Sequence, residues 1–340
     1  MPSTNHNATP SASGWDFQYN AAIVIMLENI EEACSIKIEG DLEDIEICLS
    51  DGGKIFAQAK STTTPLNSHN AIGDLSDALE TLSEANRSNP TNTRTLIFVT
   101  NRPNPFNNRT TIAQFSGQFN YLPFSDLWPP CQNRIQSYCR EKQLDLPLDK
   151  LFVLVFYFSG DTDNRYTAVK DRINRFLSKL NLSNRGWTDK AFERWLRDFS
   201  ANAVEPNHSK VLSKEDIIWP LIVWLCGEEP ERRLLEEQYD DATVETIARA
   251  YKDIITAKTE RFEFVSKVMT GYELFRTENR SLNSRAAQER FLAEKAPDYI
   301  DEFDFSDADP NIAKAVVEHT LRIVLRQQQD IRHIKQIVKL

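Results

Sequence analysis

The chain has 340 residues, 41% apolar and 26% charged, enough for two ordinary domains with a sizeable buried core. Only 10 glycines argue against a loop-rich or all-β design, and no apolar run reaches the length of a bilayer span. A formal net charge of −10, with 11 Lys and Arg against 18 Asp and Glu in residues 1–160, argues against strong unaided binding to nucleic acid.

The opening MPSTNHNATPSAS has neither the basic nor the apolar segment of a secretory signal, and 1–13 reads as a flexible tail. Five cysteines, odd in number and without a CxxC pair, exclude a disulfide framework or zinc knuckle and fit a reducing cytoplasm. Ser13 followed by Asp16 predicts a helix start, and the helix runs over 15–33. Its centre, AAIVIMLENI, is apolar nearly all round, the mark of a buried helix. Three alternating segments follow as strands: SIKIEG, DIEICL and, after a Ser-Asp-Gly-Gly turn, KIFAQAK. A loop over 62–70 leads to a helix over 71–86 with Ile72, Leu75, Leu79 and Leu82 as its apolar stripe. TRTLIFVTN (93–101) is a buried strand, broken by a Pro/Asn-rich segment. A helix over 130–142 and a second buried strand over 151–158 complete a mixed α/β domain over 14–160. From 161 to 340 the pattern is all helix: 167–180, 189–202, 214–225, 243–275, and a last amphipathic helix over 309–340 capped by Asp309 with Pro310 in its first turn.

Residues 39–60 carry the chemistry. Residues two apart in a strand share a face, so Gln58 and Lys60 point one way, as do Asp44 and Glu46. A two-residue loop at Asp51-Gly52 sets Asp44 opposite Ala59 and separates the two sets. A three-residue loop, Asp51-Gly52-Gly53, sets Asp44 opposite Lys60 and Glu46 opposite Gln58, and the two glycines favour it. That register gathers a carboxylate, a carboxamide and an ammonium in one small volume. Mg²⁺ (or Mn²⁺) suits such hard oxygen donors: Asp44, the Gln58 side-chain oxygen and the Ala59 carbonyl are the expected ligands. The metal polarises a phosphate and acidifies a bound water, while Lys60 orients that water and offsets developing charge.

GWDFQ (14–18), the helix behind it, IEGDLEDIEI (38–47) and FAQAKS (56–61) resemble the PD-(D/E)xK nuclease superfamily, in its Mrr-like branch where QxK replaces the (D/E)xK. The closer resemblance is to the endonuclease domain of anti-phage effectors in CBASS and Lamassu systems, over 14–100 and more loosely to 160. It implies a restriction-endonuclease-like N-terminal domain with a helix, three strands, helix, strand core, followed by an all-α C-terminal domain. It implies Asp44 as the metal-binding acid and Gln58 and Lys60 as the QxK pair. Glu39 matches an acid that precedes the catalytic aspartate, and Gln18 a first-helix glutamine that approaches the site. Phe17 stands where the family often has Tyr. The C-terminal half does not resemble a cyclic-nucleotide sensor, which favours a Lamassu-like complex with an SMC-like ATPase partner. The activity implied is metal-dependent endonucleolytic cleavage of double-stranded DNA.

Bland alternatives accompany each residue. Asp44 and Lys60 also fit a surface cross-strand ion pair worth under about 1 kcal/mol. Glu39 and Glu46 also fit solvated strand acids, and Gln18 also fits a hydrogen bond to a backbone carbonyl. His69 is a lone loop histidine, His6 and His208 show no ligand spacing, and His319 and His333 read as a solvated helical face. Cys131 and Cys139, eight apart on one helix, read as core, as do Trp187, Trp195, Trp219 and Trp224. Arg185, Arg194 and Arg197 near two of these leave a nucleic-acid surface as the lesser reading. No P-loop motif is present. Arg87, Arg94, Arg102 and Arg109 are candidates for a local basic rim on an otherwise acidic domain. The terminal helix is the expected docking element for a partner or for another copy of the chain. A nuclease-like adaptor with a dead site and an RNase of similar fold are the competing functions.

Overall fold

The computed structural model describes residues 9–67, 70–160, 162–206, 210–227, 231–305 and 308–340. His6, His69 and His208 lie outside these residues, as do the first eight of the expected tail. The described chain divides into two compact units, Met1–Ile217 with Ile337–Leu340, and Ile218–Gln336.

The first unit is built on a seven-stranded sheet. Its early order is the expected one: α1 (Thr9–Glu28), β1 (Ala33–Ile38), β2 (Ile45–Leu49), β3 (Lys54–Lys60), α2 (Ala71–Ser88) and β4 (Thr93–Thr100). β5 (Phe119–Pro123), α3 (Pro129–Lys142) and β6 (Leu151–Phe156) follow, then α4 (Thr162–Arg165), α5 (Thr167–Lys179), α6 (Thr188–Ala203) and the short β7 (Leu212–Ser213). The strand order is β5-β6-β4-β3-β2-β1-β7. β3, β4 and β6 run parallel, so helices must cross over between them; the flanking pairs are antiparallel. The chain is already helical at Thr9, so Ser13 lies inside α1 and does not cap it as expected.

Two side-chain layers sandwich the sheet. On one face Phe56, Leu96, Phe98 and Val153 pack with Leu75, Leu79 and Leu82 of α2 and with Cys131 and Ile135 of α3, and Cys139 packs half-buried against them. On the other, α1 packs with α5 and α6, and the Phe17 ring stacks on Phe156 at 4.9 Å. Residues 21–27 are buried all round, as the apolar pattern of that helix predicts. The first unit therefore extends to Ile217, past the expected boundary at 160. Helices α5 and α6 have apolar stripes (Val169, Ile173 and Phe176; Phe192, Trp195 and Phe199) whose partner is α1, not a separate domain. Lys214 closes this unit: its ammonium donates to the Glu31 and Val338 carbonyls at 3.1 and 2.8 Å.

The second unit is helical. α7 (Lys214–Gly227) leads into α8 (Glu231–Glu236), α9 (Asp241–Ala250), α10 (Lys252–Thr259), α11 (Phe262–Glu278), α12 (Ser284–Lys295), α13 (Pro310–Arg326) and α14 (Gln328–Val338). Asp309 caps α13 as expected, accepting from the Asn311 N–H at 2.8 Å. The long helix expected over 243–275 is three, and the terminal one is two, parted at Gln327. Val316, Val317, Leu321 and Val324 of α13 are buried in this unit's own core, packed with α10, α11 and α12. That helix face is therefore not a free docking surface. His319 is 1% exposed rather than solvated, and burial pushes its pKa down to about 4. Among the described residues, no helix is long and apolar enough to cross a membrane.

Candidate functional site

The β2–β3 hairpin positions the acid and the amide. Its loop is three residues long but begins one residue earlier than expected. Gly52 takes φ 81°, Asp51 Oδ1 accepts from the Gly53 N–H at 2.8 Å, and the Leu49 N–H closes onto the Gly53 carbonyl. Ile45 then faces Ala57, Glu46 faces Phe56 and Cys48 faces Lys54. The register differs from the expected one by two residues. Side-chain direction has period two, so the slip leaves Asp44, Gln58 and Lys60 on the same face.

The contacts are direct. Gln58 Nε2 donates to Asp44 Oδ2 at 2.6 Å, and the Ala59 N–H donates to the same oxygen at 2.9 Å. Gln58 Oε1 accepts from the Thr81 hydroxyl of α2 at 3.1 Å. The amide thus turns its nitrogen to the aspartate, rather than offering the oxygen expected as a metal ligand, because a carboxylate takes the nearest donors. A half-turn of the terminal amide exchanges the two atoms. In an extended strand a residue's N–H and C=O point to the same side, so the Ala59 carbonyl also faces the Asp44 edge. Lys60 is half-buried and forms no ion pair with a described residue, yet its charge acts on both Asp44 and Glu43.

Gln18 and Glu39 support Asp44 through its backbone. Gln18 Nε2 lies 3.4 Å from the Asp44 carbonyl, and the Glu39 N–H donates to that carbonyl at 2.8 Å. Glu39 adopts φ 53° and leaves its side chain exposed, where its charge raises the Asp44 pKa. Glu46 is structural: its Oε1 accepts from the Leu42 N–H at 2.8 Å and folds the 39–44 turn against β2. Phe17 is wholly buried among Phe156 and Phe158, a packing role that requires no hydroxyl.

The residue missed in the sequence is Glu43. It is 4% exposed, and neither carboxylate oxygen has a hydrogen-bond partner. Burial, followed by the charge of Asp44, raises its pKa to about 8, and Lys60 and the nearby Thr81 hydroxyl only partly counter this. That hydroxyl is already committed to Gln58 and to the Ala78 carbonyl. Asp44 is raised to about 6, chiefly by burial, with the Ala59 N–H pulling the other way. Strand alternation would put neighbouring residues 43 and 44 on opposite faces. Glu43, however, precedes the first residue of β2, and a bend there frees it to turn inward. The adjacent Glu-Asp pair was the available signal.

No group of three or more His, Cys, Asp or Glu placed to hold a metal occurs among the described residues. The donor set is one buried and one half-buried acid, Glu43 and Asp44, with an amide and a main-chain carbonyl. That set fits Mg²⁺, which keeps several waters and uses one or two carboxylates. The expected arginine rim is reduced: Arg102 is buried and paired with Asp74 at 2.7 Å, and Arg94 pairs with Asp51, leaving Arg87 and Arg109 exposed. Trp187 and Trp195 are buried, and Trp195 donates to the Ile217 carbonyl, so they are core.

The sequence matches no protein-family profile, and no curated protein matches it. Among solved structures, the chain is similar to an Acinetobacter baumannii Cap4 SAVED/CARF-domain containing receptor bound to the cyclic trinucleotide 2'3'3'-cAAA. The identity is 13% and the TM-score 0.38, over 76% of this chain and 58% of that one. It is also similar to a Moraxella osloensis Cap4 SAVED/CARF-domain containing receptor, at 15% identity and TM-score 0.34, over 75% and 60%. The chain spans about three fifths of the length of these structures.

Proposed function

We propose that the first unit is a metal-dependent DNA endonuclease whose site is Glu43, Asp44, Gln58 and Lys60. One observation carries this: a buried carboxylate with no hydrogen-bond partner, Glu43, and the adjacent half-buried Asp44 sit beside a half-buried lysine that pairs with no described residue. Buried charge without compensation costs several kcal/mol, so such a pair persists where a cation completes it. The helix, three strands, helix, strand order supports the restriction-endonuclease-like reading.

Glu43 and Asp44 would hold Mg²⁺ or Mn²⁺, with the Ala59 carbonyl, and with Gln58 once its amide turns. The ion supplies Lewis-acid polarisation of the scissile phosphate and acidifies a bound water. Lys60 orients that water and stabilises the phosphate's added negative charge. Gln18 and the Glu39 N–H hold the Asp44 backbone in place. The acidic surface gives weak intrinsic affinity for double-stranded DNA, which suits an anti-phage effector held off until assembly multiplies weak contacts. The defence role, the SMC-like ATPase partner and the cytoplasmic setting rest on the sequence resemblance.

A dead-site adaptor is the second reading, favoured by the nitrogen-first orientation of Gln58 and by there being no group of three metal-holding side chains among the described residues. Plasmid cleavage in Mg²⁺ or Mn²⁺, alongside Mn²⁺ binding by calorimetry, separates the two, with an RNA substrate run in parallel. Wild type should bind Mn²⁺ and cut DNA, and Lys60→Ala should cut at least about 10²-fold more slowly. Asp44→Asn should lose both properties. A wild-type chain that binds no Mn²⁺, or a Lys60→Ala chain that cuts at full rate, sinks the nuclease reading.

A further inference from the structure

The helical unit contains a second concentration of chemistry, unrelated to the acid cluster. A cavity of about 450 Å³ lies between the C-terminal part of α11 and the first turns of α12 and α14. Arg276, Arg280 and Arg332 line it, with Glu273 as the one acid. Each arginine is tethered by one of its donors. Arg276 bonds the Leu282 carbonyl, Arg280 Nε bonds the Thr277 carbonyl, and Arg332 Nε bonds Glu273. A guanidinium carries five N–H donors in a fixed fork, so every tether leaves the rest of the fork free to act.

Gln328 also lines the cavity. It is 6% exposed, and its Nε2 has no hydrogen-bond partner. A buried donor left unpaired costs roughly 1–3 kcal/mol, and a turn of the Gln328 amide towards an acceptor in the cavity would remove that cost. The first turn of α12, at Ser284, adds its positive dipole end. The lining is thus an excess of cationic forks, an unsatisfied donor and one helix amino end, with one carboxylate against three guanidiniums.

We propose that this cavity is a binding site for a small phosphate-bearing ligand. A carboxylate's two oxygens fill one arginine fork, whereas a phosphate has enough oxygens to engage two forks at once. The cavity volume is at the small-molecule end of the range for ligand pockets, large enough for a phosphorylated ligand and not for a duplex.

Calorimetric titration of the full chain with pyrophosphate, against chloride of matched ionic strength, tests the site. Wild type should give saturable binding. Arg280→Ala with Arg332→Ala should weaken it at least about tenfold, and Gln328→Leu should weaken it with unchanged circular dichroism. Both arginines are exposed, so their removal leaves the unit folded. Asp44→Asn, inactive in cleavage, should bind pyrophosphate as wild type does, so the two proposals fail separately. No saturable heat with wild type, or unchanged affinity in the double arginine variant, overturns the site. So does a double variant that loses affinity for a labelled DNA duplex while wild type binds no pyrophosphate, since the arginines then serve a duplex backbone.

Discussion

At the scale of single residues, Glu43 dominates. Its pKa rises from 4.5 in the unfolded chain to about 8 in the fold. An acid held protonated by the fold contributes fully below pH 4.5, and that stability drains away as pH rises towards 8. The metal-free protein should therefore lose stability across this window. Glu43→Gln should flatten the loss and leave the chain roughly 1–3 kcal/mol more stable than wild type at pH 8. On the proposed reading Mg²⁺ would reverse the sign by binding the ionised pair, so it should raise the melting temperature of wild type more at pH 8 than at pH 6, and not that of Glu43→Gln. A wild-type melting temperature that is flat with pH in EDTA would remove the buried-charge argument. At this scale the sequence revealed the residues that alternation brings together, Asp44, Gln58 and Lys60. It hid Glu43, whose inward turn comes from a bend that no periodicity encodes, and the tether of Glu46 to Leu42.

At the scale of elements, the hairpin shows how a wrong register still gave a right face. The loop closes on Leu49 and Gly53 because Asp51 caps Gly53 and Gly52 supplies the left-handed φ. Gly-Gly marks a three-residue turn but does not say which glycine leads, and the resulting error of two residues preserves parity. The 39–44 turn is the weaker element. Its Glu46 clasp contributes about 1–2 kcal/mol. Glu46→Ala should destabilise the first unit by that amount in urea and weaken Mn²⁺ binding, while Glu46→Gln, which keeps the acceptor oxygen, should restore most of both. Equal damage from the two variants would assign Glu46 a charge role instead. β5 and β7 escaped notice for separate reasons: β5 is a five-residue strand in the irregular stretch before α3, and β7 has two residues.

At the scale of the whole molecule, each unit has a core of its own. Phe98 belongs to the sheet core, while Phe291 meets Tyr272 and Phe275 within the helical unit. Scanning calorimetry should resolve two transitions, with Phe98→Ala lowering one and Phe291→Ala the other, each by about 3–5 kcal/mol of local stability. A single transition moved equally by both would show one cooperative block. The expected boundary at 160 failed because the helices after β6 carry amphipathic patterns like those of the later ones. Only three-dimensional packing shows that their partner is α1. The same packing corrects the terminal helix, whose apolar stripe faces inward.

The tight reversal at residues 50–52 also bears on the order in which the chain acquires its shape. The acid and amide on either side of it are close in sequence, so they meet after a short loop search that costs little entropy. The parallel neighbour of β3, β4, and β6 beyond it must wait for whole crossovers to form, a slower kind of search. The acid cluster would thus gain its floor early in folding and its Thr81 wall late. Substitutions in the reversal should slow refolding, whereas those in α2 should mainly hasten unfolding.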